Sequence, residues 1–266
     1  MSKNNGKLGL LDSSTILIGG MIGSAIFSLS GVTIANAGPA ALLSWIIAAI
    51  ILYMYGLQTA ELSTIYPNSG GVFVFPAKTL GKNEKQGQLW GWISTWAYLF
   101  GCWAGAAFSA IYVGTYLSVG FPALGNLQVP LAIAAVLICG ILNIVNISVT
   151  GKANTIMTAG LALTMLIFVA IALFSGSWDG ALFSPFFSQG IEGTWGFLGA
   201  IPIAMVAYGS IVAVSFMVGE IRDPNKTVPK AMSIAMGVVV VLYSLVIFSV
   251  LGLVSAEYLK ENPGMT

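Results

Sequence analysis

Two hydrophobic segments are interrupted at their middles by flexible residues, and they occupy matching places in the layout of the chain. The first is Thr15-Ile-Leu-Ile-Gly19-Gly20-Met21-Ile22-Gly23-Ser24-Ala25-Ile26-Phe27, and the second is Ile201-Pro202-Ile-Ala-Met-Val206-Ala207-Tyr208-Gly209-Ser210-Ile211. In a bilayer an unwound backbone is tolerated only where protein or a cavity satisfies its N–H and C=O groups. A pair of such interruptions is the sequence-level pointer to the substrate site of a transporter.

The bilayer itself follows from composition. The chain is 57% hydrophobic and 7% charged, whereas soluble domains carry about 25% charged residues. A hydrocarbon core of about 30 Å takes about 20 apolar helical residues to cross. Seven candidate spans result, at about 13–36, 39–62, 88–118, 129–147, 153–174, 194–219 and 231–255. An all-α, multi-pass membrane protein is expected. A net charge of +1 leaves no basic surface for nucleic acid.

Charge placement orients the spans. Lys3, Lys7, Lys78, Lys82, Lys85, Lys152, Arg222, Lys226 and Lys230 fall on one side if seven spans alternate, and Lys260 falls on the other. Excess Lys and Arg marks the cytoplasmic face, so a cytoplasmic N-terminus in the cell membrane is expected. Ala35-Asn36-Ala37 has the form of a signal-peptidase site, but the preceding apolar stretch is too long and carries Asp12-Ser-Ser-Thr15 near its start. Cys102 and Cys139 lie mid-span, where thiols are expected as small buried hydrophobes.

The loops are short. The longest on the basic side, about 63–87, joins Pro67-Asn-Ser-Gly-Gly71 to an apolar-aromatic stretch and reads as a segment dipping into the membrane interface. The outer loop, about 175–193, reads as a connector. With no histidine in the chain, Ser-His and Cys-His nucleophile pairs are excluded, as are His-containing zinc sites. No G-x-S-x-G elbow or phosphate loop is present. Enzymatic chemistry is not expected, and no cofactor or metal is implied.

Glycines 19, 20 and 23 each weaken helix by about 1 kcal/mol relative to alanine. If the helix unwinds there, the N–H groups of Gly23, Ser24 and Ala25 are free at the start of a second half-helix. Backbone amides at the positive end of a helix dipole attract an anion, and carbonyls near Met21 and Ile22 would face an ammonium. A zwitterion fits this polarity without a charged side chain. The same Gly19-x-x-x-Gly23 spacing also reads as a helix-packing face.

Three patterns then resemble one known family in the expected order. Gly20-Met-Ile-Gly-Ser-Ala-Ile-Phe27 is similar to the Gly-Ser-Gly-Ile-Phe signature of the amino acid–polyamine–organocation (APC) transporter superfamily. Ala60-Glu61-Leu-Ser-Thr-Ile-Tyr66-Pro67-Asn-Ser-Gly70-Gly71 resembles the end of its second span and re-entrant loop. Gly219-Glu220-Ile-Arg222-Asp223-Pro224-Asn-Lys-Thr-Val-Pro229 resembles the loop after its sixth span.

The resemblance implies a LeuT-like fold of five plus five helices in inverted repeat, with discontinuous helices 1 and 6. Residues 1–175 would form the first repeat and 176–266 an incomplete second repeat, ending after the seventh span of roughly twelve. It further implies alternating-access transport of an amino acid, as an ion-coupled symporter or an exchanger. The carboxylate would rest on Gly23, Ser24 and Ala25, and the amino group on carbonyls near Met21, Val206, Ala207 and Gly209. Tyr208 would take the gating aromatic position beside Ser210. In span three, Tyr98, Gly101, Cys102 and Ala106 map to a stretch lining the pocket; for Tyr98 and Cys102 ordinary helix packing is an equal alternative.

Departures from the family pattern narrow the substrate. Ala25 replaces the third signature glycine, and Gly209-Ser210 reverses a Ser-Gly pair. Val212 stands where relatives that take cationic substrates carry an acidic residue. A buried charge needs a partner, so the substrate expected is neutral and apolar. Coupling to Na+, coupling to H+ and exchange stay open, because no ionisable residue lies between Ile156 and Phe168, where certain relatives place a lysine. Oligomeric state is not encoded legibly. A passive channel is the nearest competitor and needs continuous polar rings that these spans lack. A seven-helix receptor is disfavoured by the charge bias.

Overall fold

The computed structural model describes residues 8–145, 147–187 and 193–261. Lys3, Lys7, residues 188–192 of the outer loop and the tail 262–266 lie outside the described residues, as does the side chain of Lys152. Among the described residues all regular structure is helical, apart from one isolated β-bridge.

The first interrupted span is a pair of short helices, α1 (Leu10–Met21) and α2 (Ala25–Ala37). Gly38, at φ 61°, and Pro39 then turn the chain into α3 (Ala41–Ile65). Next comes α4 (Gly71–Thr79), a nine-residue helix entered through Gly70 at φ 89°. It lies along α5 (Glu84–Gly120), where Gly87 faces the Ala77 carbonyl and Gly91 faces the Phe73 carbonyl with no room for a Cβ. Then follow α6 (Gln128–Val145) and α7 (Ile147–Phe174). The sixth span is α8 (Gly196–Tyr208) continued by a 3-10 helix, Gly209–Glu220. The seventh is α9 (Pro224–Leu253), followed by α10 (Ala256–Glu261).

By length and composition, 6 helical stretches could each cross a membrane. One of them, Ala25–Ile65, contains two elements separated by the Gly38 reversal. Pairing α1 with α2 as one crossing and taking α3 as the next gives the seven spans expected from sequence.

Packing around the centre is exchange-symmetric. α1 packs on α9 as α8 packs on α3; α2 lies against α8 as the 3-10 helix lies against α1; and α3 meets α9. Swapping spans one and two for spans six and seven maps these pairings onto one another. By contrast α5 and α6 form a flank that is mostly exposed, with 11% and 6% of their apolar windows buried. Cys102 and Cys139 sit on that flank as exposed free thiols, so they do not fill the core as expected of mid-span thiols.

Lipid tails are as apolar as leucine, so burying leucine does not drive these helices together; close approach and interhelical hydrogen bonds do. Ala48, Ala49, Ala200, Ala204, Ala231 and Ala235 are all buried at the central contacts. Ser44 donates to the Phe197 carbonyl at 2.7 Å, Trp45 Nε1 donates to Thr33 Oγ1 at 2.9 Å, and the Tyr53 and Ser233 hydroxyls pair at 2.8 Å. The outer loop is fastened as well. Asp179 N–H donates to the Gly252 carbonyl at 2.8 Å, and Trp178 packs against Phe183 and Phe248.

One close backbone approach between spans is testable. Gly196 lies where any Cβ would meet the Asn36 carbonyl. Gly196→Ala should cost about 1–3 kcal/mol through overpacking, read as a lower melting temperature in detergent.

Candidate functional site

The first interruption is a sharp local turn. α1 ends at Met21, and Ile22 takes φ −76°, ψ 76°, the geometry of an inverse γ-turn. Gly23 N–H closes that turn on the Met21 carbonyl at 2.8 Å. Ser24 is already in the helical region and starts α2, whose first i to i−4 bond runs from Ser28 N–H to the Ser24 carbonyl at 3.1 Å. The N–H groups before that bond have no intrahelical carbonyl to meet. Ser24 and Ala25 therefore present donors as expected, while Gly23 does not: its N–H is turned back on Met21.

The glycines divide between the two roles left open by sequence. Gly19 and Gly20 stay helical and serve close packing. A Cβ on Gly19 would meet Thr158 and Asn154 of α7, and one on Gly20 would lie 3.2 Å from Ser210 Cβ. Gly23 has open space where its Cβ would be and marks the break itself. The unwinding is thus shorter than the glycine run suggests and is centred on Ile22 and Gly23.

The sixth span is interrupted differently. Instead of unwinding, it changes helix type at Tyr208, whose φ −101°, ψ −1° leads into the twelve-residue 3-10 helix. Runs of 3-10 longer than three or four residues are uncommon, and within a span they mark a hinge. The Gly209 N–H takes the Val206 carbonyl, an i−3 bond that starts the tighter winding. Pro202 inside α8 removes one further backbone donor. Met217, at φ −110°, ψ 15°, leaves helical geometry near the far end.

One residue joins the two interruptions. Tyr243, in the middle of α9 and fully buried, donates its hydroxyl proton to the Met21 carbonyl at 2.6 Å, and the same oxygen lies 3.5 Å from the Ala207 carbonyl. Its ring meets Trp45 edge-on at 5.2 Å and Tyr208 at 5.2 Å, and Trp45 meets Tyr208 at 6.0 Å. Such aromatic pairs add about 0.5–1.5 kcal/mol each beyond area burial. The three rings form a plug behind the breaks. The Tyr208 hydroxyl, equally buried, has no partner among the described residues.

The third wall is α5. Ser24 and Ser109 hydroxyls lie 3.1 Å apart, Phe27 meets Tyr116 at 6.3 Å, and Tyr98 meets Phe216 of the 3-10 helix at 4.9 Å. Tyr98, Cys102, Ala106 and Ser109 follow one another at steps of four and three, one stripe of the helix. Gly101 stands beside it with open space at its Cβ position. Tyr98 and Ser109, at the two ends of that stripe, reach the interrupted spans through Phe216 and Ser24, while Cys102 is exposed.

Not every expected residue joins it. Met21, Ile22, Ala207 and Tyr208 are buried and contribute only carbonyls and packing; Ser210 is pressed against Gly20. Val212 is 5% exposed and belongs to the packed core, and Val206 is 65% exposed and turns away from the centre. Sequence reasoning missed Tyr243 and Ser109. Each is a polar group within an apolar run, the signal by which Tyr243 stands out in Val238-Val-Val-Val-Leu-Tyr-Ser-Leu-Val246, and polar groups at that depth are costly unless used.

A family model described as amino acid permease matches residues 8–266. An uncharacterized transporter of Mycobacterium tuberculosis is 29% identical over 256 residues, 96% of this chain and 54% of that protein. The serine/threonine exchanger SteT of Bacillus subtilis is 27% identical over 255 residues, 94% of this chain and 56% of that protein. The branched-chain amino acid permease BcaP of Bacillus subtilis is 28% identical over 260 residues, 89% of this chain and 52% of that protein. The chain spans about half the length of these relatives.

The tyrosine bridge separates two hydroxyls of the same plug. Tyr243→Phe leaves the Met21 carbonyl buried without its donor and should cost about 1–3 kcal/mol. Tyr208→Phe removes a hydroxyl that has no partner and should be neutral or stabilising. Thermal melts of the two variants in detergent check the contrast.

Proposed function

The chain belongs to the amino acid permease family, and on that footing we propose that it forms the substrate-holding part of a secondary transporter that moves a neutral amino acid across the cell membrane by alternating access. The observation that carries this reading is the first interruption. It sets the donors of Ser24 and Ala25 at the start of α2 beside Ser109, next to Gly23, whose Cβ position is open.

The substrate carboxylate rests on the N–H groups of Ser24 and Ala25 and on the Ser24 hydroxyl, where the α2 dipole favours negative charge. The ammonium faces the carbonyl ends of α1 and α8. The Met21 carbonyl is already shared between Gly23 N–H and Tyr243, so the remaining carbonyls of those last turns carry that contact. The side chain points toward the stripe of Gly101, Cys102 and Ala106, where no ionised group is presented. A charged side chain would be left without a partner there, which supports a neutral substrate. The names of the serine/threonine exchanger and the branched-chain permease agree with that class.

The bilayer is the surrounding solvent, and the excess of basic residues Lys78, Lys82, Lys85, Arg222, Lys226 and Lys230 at one end supports a cytoplasmic location for that end under the positive-inside rule. The transport cycle runs as symport with Na+ or H+, or as exchange. Uptake into vesicles under a sodium gradient, a proton gradient or internal amino acid separates the three.

Binding tests the proposal directly. A ligand that binds only the folded state raises the melting temperature. In a screen of the twenty amino acids the neutral ones should shift the melt, and a shift with arginine alone overturns the assignment. Ser24→Val should weaken binding of the neutral ligand at least tenfold, about 1.4 kcal/mol, measured by the same titration.

A further inference from the structure

We infer that α5 carries a seat for one anionic phospholipid of the cytoplasmic leaflet: the corner between α4 and α5 takes the headgroup, and an aromatic stripe of α5 takes the acyl chains. The inference rests on the membrane reading and the orientation given above and uses no step of transport.

The corner is tightly built and basic. Leu80 N–H donates to the Pro76 carbonyl at 3.0 Å where α4 ends, and Asn83 caps α5 by accepting from Gln86 N–H at 2.9 Å. Gln86 Oε1 in turn accepts from Lys82 N–H at 3.3 Å, and Gly87 lies under the Ala77 carbonyl. Lys78, Lys82 and Lys85 stand out from this corner, all exposed, with Glu84 the one acid among them. Among the described residues no ion pair holds any of the three ammonium groups. The N-terminus of α5 adds its own partial positive charge. A phosphodiester is the complement of such a corner at the headgroup layer, where basic clusters recruit anionic lipids.

The stripe begins at Lys85. Leu89, Trp92, Trp96, Phe100 and Trp103 follow it at steps of four, three, four, four and three, which keeps them on one face of the helix, opposite the stripe of Tyr98 and Ser109. All five are between 38% and 62% exposed. Their rings form a ladder: Trp96 meets Trp92 at 5.8 Å, Phe100 at 5.9 Å and Trp103 at 6.1 Å. From Lys85 to Phe100 the helix rises about 22 Å, and one leaflet with its headgroups is about 20–22 Å deep. A lipid whose phosphate meets the lysines therefore lays its chains along the whole ladder. A face of leucines would hold every lipid alike. Rings ordered against one another beneath three unpaired cations favour a lipid whose head is an anion.

Bromine on an acyl chain quenches tryptophan fluorescence on contact, which turns the ladder into its own probe. The full chain is reconstituted in phosphatidylcholine vesicles doped with a minor share of mid-chain brominated phosphatidylglycerol, or with the same share of brominated phosphatidylcholine. The anionic lipid should quench roughly two- to fivefold more strongly, since each lysine near a membrane surface is worth about fivefold in affinity for it. Lys78→Gln, Lys82→Gln and Lys85→Gln combined should bring the two lipids level, and high salt should narrow the gap. Trp92→Phe, Trp96→Phe and Trp103→Phe combined keep the stripe apolar and should remove the excess, while the exposed Trp90 and Trp195 still report ordinary lipid contact. Equal quenching in the parent, or an excess that survives either set of changes, overturns the seat. Stripe tryptophans that no brominated lipid reaches overturn it as well, by showing that a further protein element covers this face. No amino acid enters the assay, so a failure of the transport reading is recorded separately.

Discussion

The hydrogen bond from the Tyr243 hydroxyl to the Met21 carbonyl holds the centre of this molecule in shape. Within a bilayer a main-chain carbonyl has no water to turn to, and each unsatisfied one costs several kcal/mol. Breaking a span at Ile22 frees such groups in the least tolerant place. The γ-turn answers one of them with Gly23 N–H, and the phenol on α9 answers from the other side. Because that phenol also approaches Ala207, the ends of two half-spans are set relative to each other by a single buried oxygen. The plug of Trp45, Tyr208 and Tyr243 then fixes where that oxygen sits.

The site this leaves is made of dipoles instead of charges. Ser24, Ser109 and the start of α2 form one pole, and the carbonyl ends of α1 and α8 form the other. Neither pole requires an ionised side chain to be buried, which would be expensive and would demand a partner. On the proposed reading, the ligand carries both charges itself. The arrangement also explains how a chain with so few charged residues sustains a polar centre: the backbone supplies the polarity, and the interruptions release it.

Much of this was legible in the sequence, for reasons that differ by element. The spans and the break at Gly23 follow from apolar length and glycine position, which are local properties. The separate duties of the glycines were not legible. Gly19 and Gly20 are small because Thr158, Asn154 and Ser210 lie against them, and those neighbours are more than a hundred residues away in the chain. The switch to 3-10 winding after Tyr208 was masked in the same way, since Gly209-Ser210 suggests looseness and tertiary contacts impose tightness. Val212 is apolar in the sequence as expected, yet its burial places it in the core. Tyr243 had a signal of its own, a lone phenol in a run of valines, but its partner could be found only in space.

The 3-10 helix of Gly209–Glu220 has a geometric corollary. At about 2.0 Å per residue it is drawn out relative to an α-helix at about 1.5 Å. Over Gly209–Phe216, before the kink at Met217, that difference amounts to about 4 Å of reserve length, short of one α-helical pitch of about 5.4 Å. Rewinding the segment as α-helix would draw Glu220 toward Tyr208 and rotate Phe216 off the ring of Tyr98. Leu8, whose N–H donates to the Glu220 carbonyl, would be drawn along with that end of span six.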